Sequence, residues 1–176
     1  LKILKRKKNL ILIDASNYSI NEGLKYISVN NKILIQSEDI KKFTTKDFKI
    51  VSKRKPSLKE MKNLIFAFNV CRYVKSNAIV LASNETTAGI GSGQPSRLDS
   101  CQIAIDKMKK FMHTNDDVVA ASDAFFPFID GIQKLVQSGV SAVIQPSGSI
   151  RDKEVINFAN ETDTILVFSK TRHFRH

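Results

Sequence analysis

Val118-Val119-Ala120-Ala121-Ser122-Asp123-Ala124-Phe125-Phe126-Pro127-Phe128-Ile129-Asp130-Gly131 is the stretch that decides the fold. Its first four residues are wholly apolar and read as a buried strand. From Ile129 the pattern turns helical and runs to Gln137, with Gly139 placed to end the helix in the left-handed conformation. Strand, loop and helix in close succession are the beat of an α/β domain. The loop between them is unusual, because a core strand does not carry two Asp and a solvated loop gains nothing from three exposed Phe. Two readings fit it. Either the rings and carboxylates form a pocket wall for a flat ligand bearing N–H groups, or the Phe side chains plug the core.

The same rhythm continues on both sides. Downstream, Val140–Ile144 reads as a strand, Asp152–Asn160 as a helix and Thr164–Phe168 as the last strand. Upstream, Ala78–Ala82 is a short apolar strand, and Thr86–Ile90 can pair beside it after the polar turn Ser83-Asn84-Glu85. Leu98, Cys101, Ile105, Met108 and Met112 give helical spacing to Ser96–Met112. Further back, Ser57-Leu58-Lys59-Glu60 has the form of a capping box. Leu58, Met61, Leu64, Ile65, Phe68, Cys71 and Val74 then form one apolar helical face. Buried strands alternating with helices predict a largely parallel or mixed sheet covered on both faces.

Residues 1–55 read differently, as short strands joined by polar turns. Asn9–Ile13 and Ile27–Ile35 are apolar runs, the second with Asn30-Asn31 as a hairpin turn, and Phe48–Ser52 is a third short strand. The expected organisation is a strand-rich arm or connector over 1–55, followed by an α/β unit over 56–176.

Composition narrows the class. The 176 residues are 42% hydrophobic and 26% charged, which suits a soluble protein with a real core. No apolar run is long enough to span a bilayer and no signal peptide is recognisable, so no membrane partner is expected. Cys71 and Cys101 form no close-spaced pair and read as small core residues of a cytoplasmic protein. With His113, His173 and His176 the only imidazoles, a structural zinc is not expected. The net charge of +11 raises RNA binding, yet Lys is scattered through every segment, so nucleic acid is not the favoured partner. The chain opens on Leu1 rather than Met, as a piece of something longer or a processed chain would.

Ligands of α/β sheets bind where strand-to-helix loops gather, and four segments of unusual composition fall at such positions. Lys75-Ser76-Asn77 can cap a helix or face a ligand. Gly89-Ile90-Gly91-Ser92-Gly93-Gln94-Pro95-Ser96-Arg97 brings flexible backbone and a helix start, and Arg97 there opposes the helix dipole, which favours an anion-binding role. The third is the aromatic–carboxylate loop. Gln145-Pro146-Ser147-Gly148-Ser149-Ile150-Arg151-Asp152 is either an ordinary connection or a set of backbone donors. The tail Arg172-His173-Phe174-Arg175-His176 is either frayed or docked through Phe174. The zinc-deaminase motifs H-x-E and P-C-x-x-C do not occur, nor does a recognisable Ser-His-Asp or Cys-His arrangement.

These segments, in this order and spacing, resemble the C-terminal part of the bifunctional purine biosynthesis family, in which AICAR transformylase is joined to IMP cyclohydrolase. The resemblance is strong over 56–176 and fainter over 1–55. It implies a cytidine-deaminase-like three-layer sandwich without zinc, the second of two such units. It also implies transfer of a formyl group from 10-formyltetrahydrofolate to the 5-amino group of AICAR, in a cytoplasmic enzyme of de novo purine synthesis. Carried over by position, Asn77, Arg97, Phe125 and Arg172 contact AICAR, with Asn77 also in support of catalysis. Leu98, Asp130, Ser149 and Ile150 line the folate site, Asp130 accepting from the pterin amino group. Ser76 and Asp123 help hold a monovalent cation, potassium. The family's catalytic Lys-His pair lies upstream of these motifs, and its active site is completed across a homodimer. This chain alone is therefore expected to be inactive. The alternative reading is a non-catalytic nucleotide-binding module or a basic RNA-binding module.

Overall fold

A computed structural model describes residues 4–6, 9–17, 23–111 and 117–176. Met112, His113 and most of the basic opening segment lie outside the described residues. The chain divides into two compact units, Leu1–Ile40 and Lys41–His176.

In the first unit, β1 (Leu24–Val29) and β2 (Lys32–Ser37) form an antiparallel hairpin whose register closes at Val29 and Lys32. The turn is Asn30-Asn31, as its composition predicts, and Asn30 takes a left-handed φ of 53°. Asn9–Ile13, by contrast, is not a strand. It pairs with no strand among the described residues, and Ile11 and Ile13 are exposed.

The second unit holds a six-stranded mixed sheet. Its elements are β3 (Phe48–Ile50), α1 (Leu58–Cys71), β4 (Ile79–Ser83), β5 (Thr86–Gly91), α2 (Arg97–Phe111), β6 (Val119–Ser122), α3 (Ile129–Gln137), β7 (Ala142–Pro146), α4 (Asp152–Glu161) and β8 (Ile165–Ser169). The strand order is β3-β8-β7-β6-β4-β5, with β6–β7 and β7–β8 parallel and the other pairs antiparallel. The expected mixed α/β architecture is therefore present.

Alternation along the buried strands sends side chains to two cores. Ile79 and Leu81 of β4 join Cys101, Ala104 and Met108 of α2, Leu135 of α3 and Val155 of α4. Val80 and Ala82 point the other way, to Leu64, Ala67, Phe68 and Cys71 of α1. α1 thus covers one face of the sheet, and α2, α3 and α4 the other. Burial pushes the Cys101 thiol up to about 12 and the Cys71 thiol well above its ordinary value, as expected of inert core cysteines.

The helix ends follow the sequence signals closely. Ser57 Oγ accepts from the Glu60 N–H, and the Glu60 carboxylate accepts from the Ser57 N–H at 2.8 Å. Gly139, with φ 96°, closes α3 as its N–H donates to the Val136 carbonyl. α1 stops at Cys71, one turn short of the predicted Val74.

Strand direction gathers the loops. The start of β4 and the ends of β5, β6, β7 and β8 all lie along one edge of the sheet, since Ile79 pairs with both Gly91 and Ser122, and Pro146 pairs with Ser169.

Candidate active site at one end of the sheet

A cavity of about 500 Å³ opens at that end. Of the eight residues expected to contact AICAR or folate, six line it: Asn77, Arg97, Leu98, Phe125, Asp130 and Arg172. They come from four separate loops or helix starts spread over almost a hundred residues.

Arg97, the first residue of α2, anchors the arrangement. Its Nη1 donates to Ser122 Oγ at 3.0 Å and to Asp123 Oδ1, and its Nη2 donates to Asn77 Oδ1 at 2.8 Å. The Asp123 side chain is completely buried and Arg97 is 11% exposed, so this ion pair is shielded from water. Asp123 Oδ2 is buried with no hydrogen-bond partner among the described residues. The Asn77 amide donates to the carbonyls of Gln94 at 2.9 Å and Pro95 at 3.0 Å, which fixes its oxygen toward Arg97. Asn77 therefore caps no helix; it braces the loop that leads into α2.

The rings of the aromatic loop divide between core and cavity. Phe126 is 1% exposed and plugs the core, while Phe125 and the half-exposed Phe128 line the cavity. Gly131 makes room for Phe126, since a Cβ there would lie 2.5 Å from its ring. The Arg172 guanidinium sits 4.8 Å above the Phe125 ring and has no carboxylate partner among the described residues. Asp130 is exposed on the cavity rim, one oxygen accepting from the Gly131 N–H at 2.7 Å.

The tail is docked rather than frayed, but its anchor is His173 and not Phe174, which is half exposed. His173 is buried, its ring 4.4 Å from that of Phe68, and its N–H donates to the Asp123 carbonyl at 2.9 Å. The Ser76 N–H donates to the Arg175 carbonyl at 2.8 Å, and the Arg175 N–H returns a bond to Ser76 Oγ.

One expectation needs correction. Gly89 and Gly91 do not bring backbone up to a ligand. A Cβ at either would fall 2.1 Å from the Ala104 carbonyl oxygen or 1.9 Å from that of Ser100, so these glycines seat β5 against α2. Of the two readings of the Gly148 loop the ordinary connection fits, because the Asp152 carboxylate accepts from both Gly148 and Ser149 N–H. Ser149 and Ile150 do not line the cavity, and Ile150 is fully exposed.

Gly148 touches the site all the same. Its φ is +109°, and a Cβ there would approach Arg172 Nη2 to 3.1 Å. Gly148→Ala should cost about 1–3 kcal/mol of stability through the strained backbone, readable by urea denaturation. An unchanged midpoint would mean that the loop relaxes freely.

The strand-end cavity of this α/β domain thus combines two arginines, an amide, a carboxylate and an aromatic wall, a chemistry that suits a flat anionic ligand. The chain belongs to the AICARFT/IMPCHase bienzyme family, whose model matches residues 1–107. It is similar to the "Bifunctional purine biosynthesis protein PurH" of Buchnera aphidicola subsp. Schizaphis graminum (strain Sg), at 48% identity over 177 residues, 99% of this chain and 34% of that protein. The protein of the same name from Persephonella marina (strain DSM 14350 / EX-H1) is 43% identical over 175 residues, again 99% of this chain and 34% of its own length. The chain spans about a third of the length of these curated relatives.

Proposed function

We propose that this chain supplies the AICAR- and folate-binding half of an AICAR transformylase, part of a bifunctional enzyme of purine biosynthesis that also carries IMP cyclohydrolase. In the reaction, 10-formyltetrahydrofolate gives its formyl group to the 5-amino group of AICAR. The reading is supported most by the convergence of Asn77, Arg97, Phe125 and Arg172 on one cavity.

Their chemistry suits AICAR. A guanidinium offers a planar donor fork to phosphate or carboxamide, the Phe125 ring offers a face to the imidazole, and the braced Asn77 holds the first guanidinium in place. Leu98 and Asp130 border the folate region, where Asp130 keeps one oxygen for the pterin amino group. Ser149 and Ile150 belong to the same proposed site through their neighbour Gly148, which abuts Arg172. Asp123 Oδ2 fits the acceptor that a monovalent cation, potassium, would need, with Ser76 beside the docked tail as the second proposed ligand. The proton-transferring His and oxyanion-stabilising Lys are assigned to an upstream deaminase-like unit. Each such group is worth about 10²–10⁴-fold in rate, so this chain alone binds rather than turns over. Residues 56–176 form the second cytidine-deaminase-like unit, and residues 1–55, which supply β3, form the arm from the first. A homodimer partner completes the site in the cytoplasmic enzyme.

A thermal shift tests the reading. AICAR at a hundredfold excess over its Kd should add about 2.7 kcal/mol to the folded state, while single-stranded RNA adds nothing that survives 200 mM salt. Stabilisation by RNA alone would replace this reading with a nucleic-acid-binding module.

A further inference from the structure

We propose that Ser122 is the positioning residue that keeps the Arg97 guanidinium presented to the cavity and couples it to the Phe125 loop. The inference rests on reading the cavity as the AICAR site.

Ser122 is the last residue of β6 and is completely buried. Its hydroxyl accepts from Arg97 Nη1 at 3.0 Å and donates to the Ala124 carbonyl at 2.6 Å, one residue before Phe125. A hydroxyl that accepts from a cation while donating to a carbonyl is polarised in both bonds. It therefore joins the helix start that carries Arg97 to the loop that carries Phe125.

Asp123 alone would not hold the guanidinium this way. Only Oδ1 of its carboxylate meets Arg97, while Oδ2 lies buried and unpartnered among the described residues. The preferred geometry of an arginine–carboxylate pair is a two-bond fork that engages both oxygens. Without a competitor, Arg97 would rotate into that fork and turn away from the cavity. Ser122 supplies the competitor, and Asn77 Oδ1 holds the other nitrogen at 2.8 Å. With three of five N–H groups engaged in this way, Nε–H and one Nη2 hydrogen remain for a ligand.

The test uses the full chain with Ser122→Ala and Ser122→Thr, the latter keeping the hydroxyl. Should either fail to fold, the near-isosteric Ser122→Cys takes its place. The first arm is guanidinium ¹⁵N–¹H NMR without ligand. Ser122→Ala should move the Arg97 Nε and Nη resonances, and Ser122→Thr should hold them near their wild-type positions. Unmoved resonances in Ser122→Ala overturn the proposal. The second arm is a double-mutant cycle on AICAR affinity. Ser122→Ala should weaken binding about tenfold in the wild-type background and hardly at all in an Arg97→Gln background. Equal losses in both backgrounds would mean that the hydroxyl acts elsewhere, and they also overturn it. If the wild-type chain does not bind AICAR, the assignment of the cavity falls, while the NMR arm still judges Ser122.

Discussion

Arg97→Met is expected to lower the unfolding free energy by about 3–5 kcal/mol, because it strands the Asp123 carboxylate in the core without its counter-charge. For a chain of this size that corresponds to a fall in Tm of roughly 10–15 °C. The informative companion is Arg97→Met combined with Asp123→Leu. A buried pair replaced on both sides by apolar groups of similar volume often costs little, since desolvation of the charges is then avoided. The double variant should therefore recover most of the lost stability while AICAR binding stays weakened. Calorimetry and ligand titration on the same three proteins separate the two roles. A double variant as unstable as Arg97→Met would mean that the stability resides in the hydrogen bonds to Ser122 and Asn77. Recovered AICAR binding in the double variant would remove Arg97 from the site altogether.

Gly91→Ala should be nearly as damaging, for a steric reason. The added Cβ would meet the backbone of Ser100, with the carbonyl oxygen 1.9 Å away and the Cα 2.8 Å away. Neither atom belongs to a side chain that can swing aside, so α2 must lift from β5. Overpacking in a close-set core typically costs about 1–3 kcal/mol, and this contact belongs at or above the upper end. Because Arg97 begins the displaced helix, ligand affinity should fall together with stability. Gly93→Ala is the control: its Cβ would find only the Lys75 side chain, at 3.8 Å, although its φ of +67° carries a modest strain of its own. Equal effects at both positions would show that backbone conformation, rather than the seat of α2 on β5, dominates.

Much of this architecture was legible in the residues. The apolar runs of β4, β6, β7 and β8 are short and continuous because both faces of the sheet are covered, and a capping box or Gly139 marks helix ends by local hydrogen-bond chemistry alone. Local signals failed where the determinant lies far away in sequence. Asn9–Ile13 is apolar enough for a strand but pairs with none among the described residues. Gly89 and Gly91 look like ligand-facing glycines until Ala104 and Ser100 are seen pressed against them. The candidate site is partly legible, since Arg97 against the helix dipole and the Phe-rich loop both stand out in the sequence. What composition alone could not disclose is that Ser122 and Asn77 share the guanidinium with Asp123. That sharing depends on the antiparallel neighbour relation of β4 and β6, which no local pattern encodes. The only trace of it was a pair of polar residues, Ser122 and Asp123, closing an otherwise apolar strand.

The gathering of loops at one end of the sheet leaves the opposite end with a different freedom. There lie the tight turns Asn84-Glu85, Ser138-Gly139 and Thr162-Asp163, four of whose residues carry positive φ and none of which lines the cavity. That end works as a handle. A dye, a short inserted peptide or a new pair of termini placed at Asn84-Glu85 would sit a full strand length of β4 away from Asn77, so the molecule could be labelled, tethered or permuted there while its binding end remains as evolution left it.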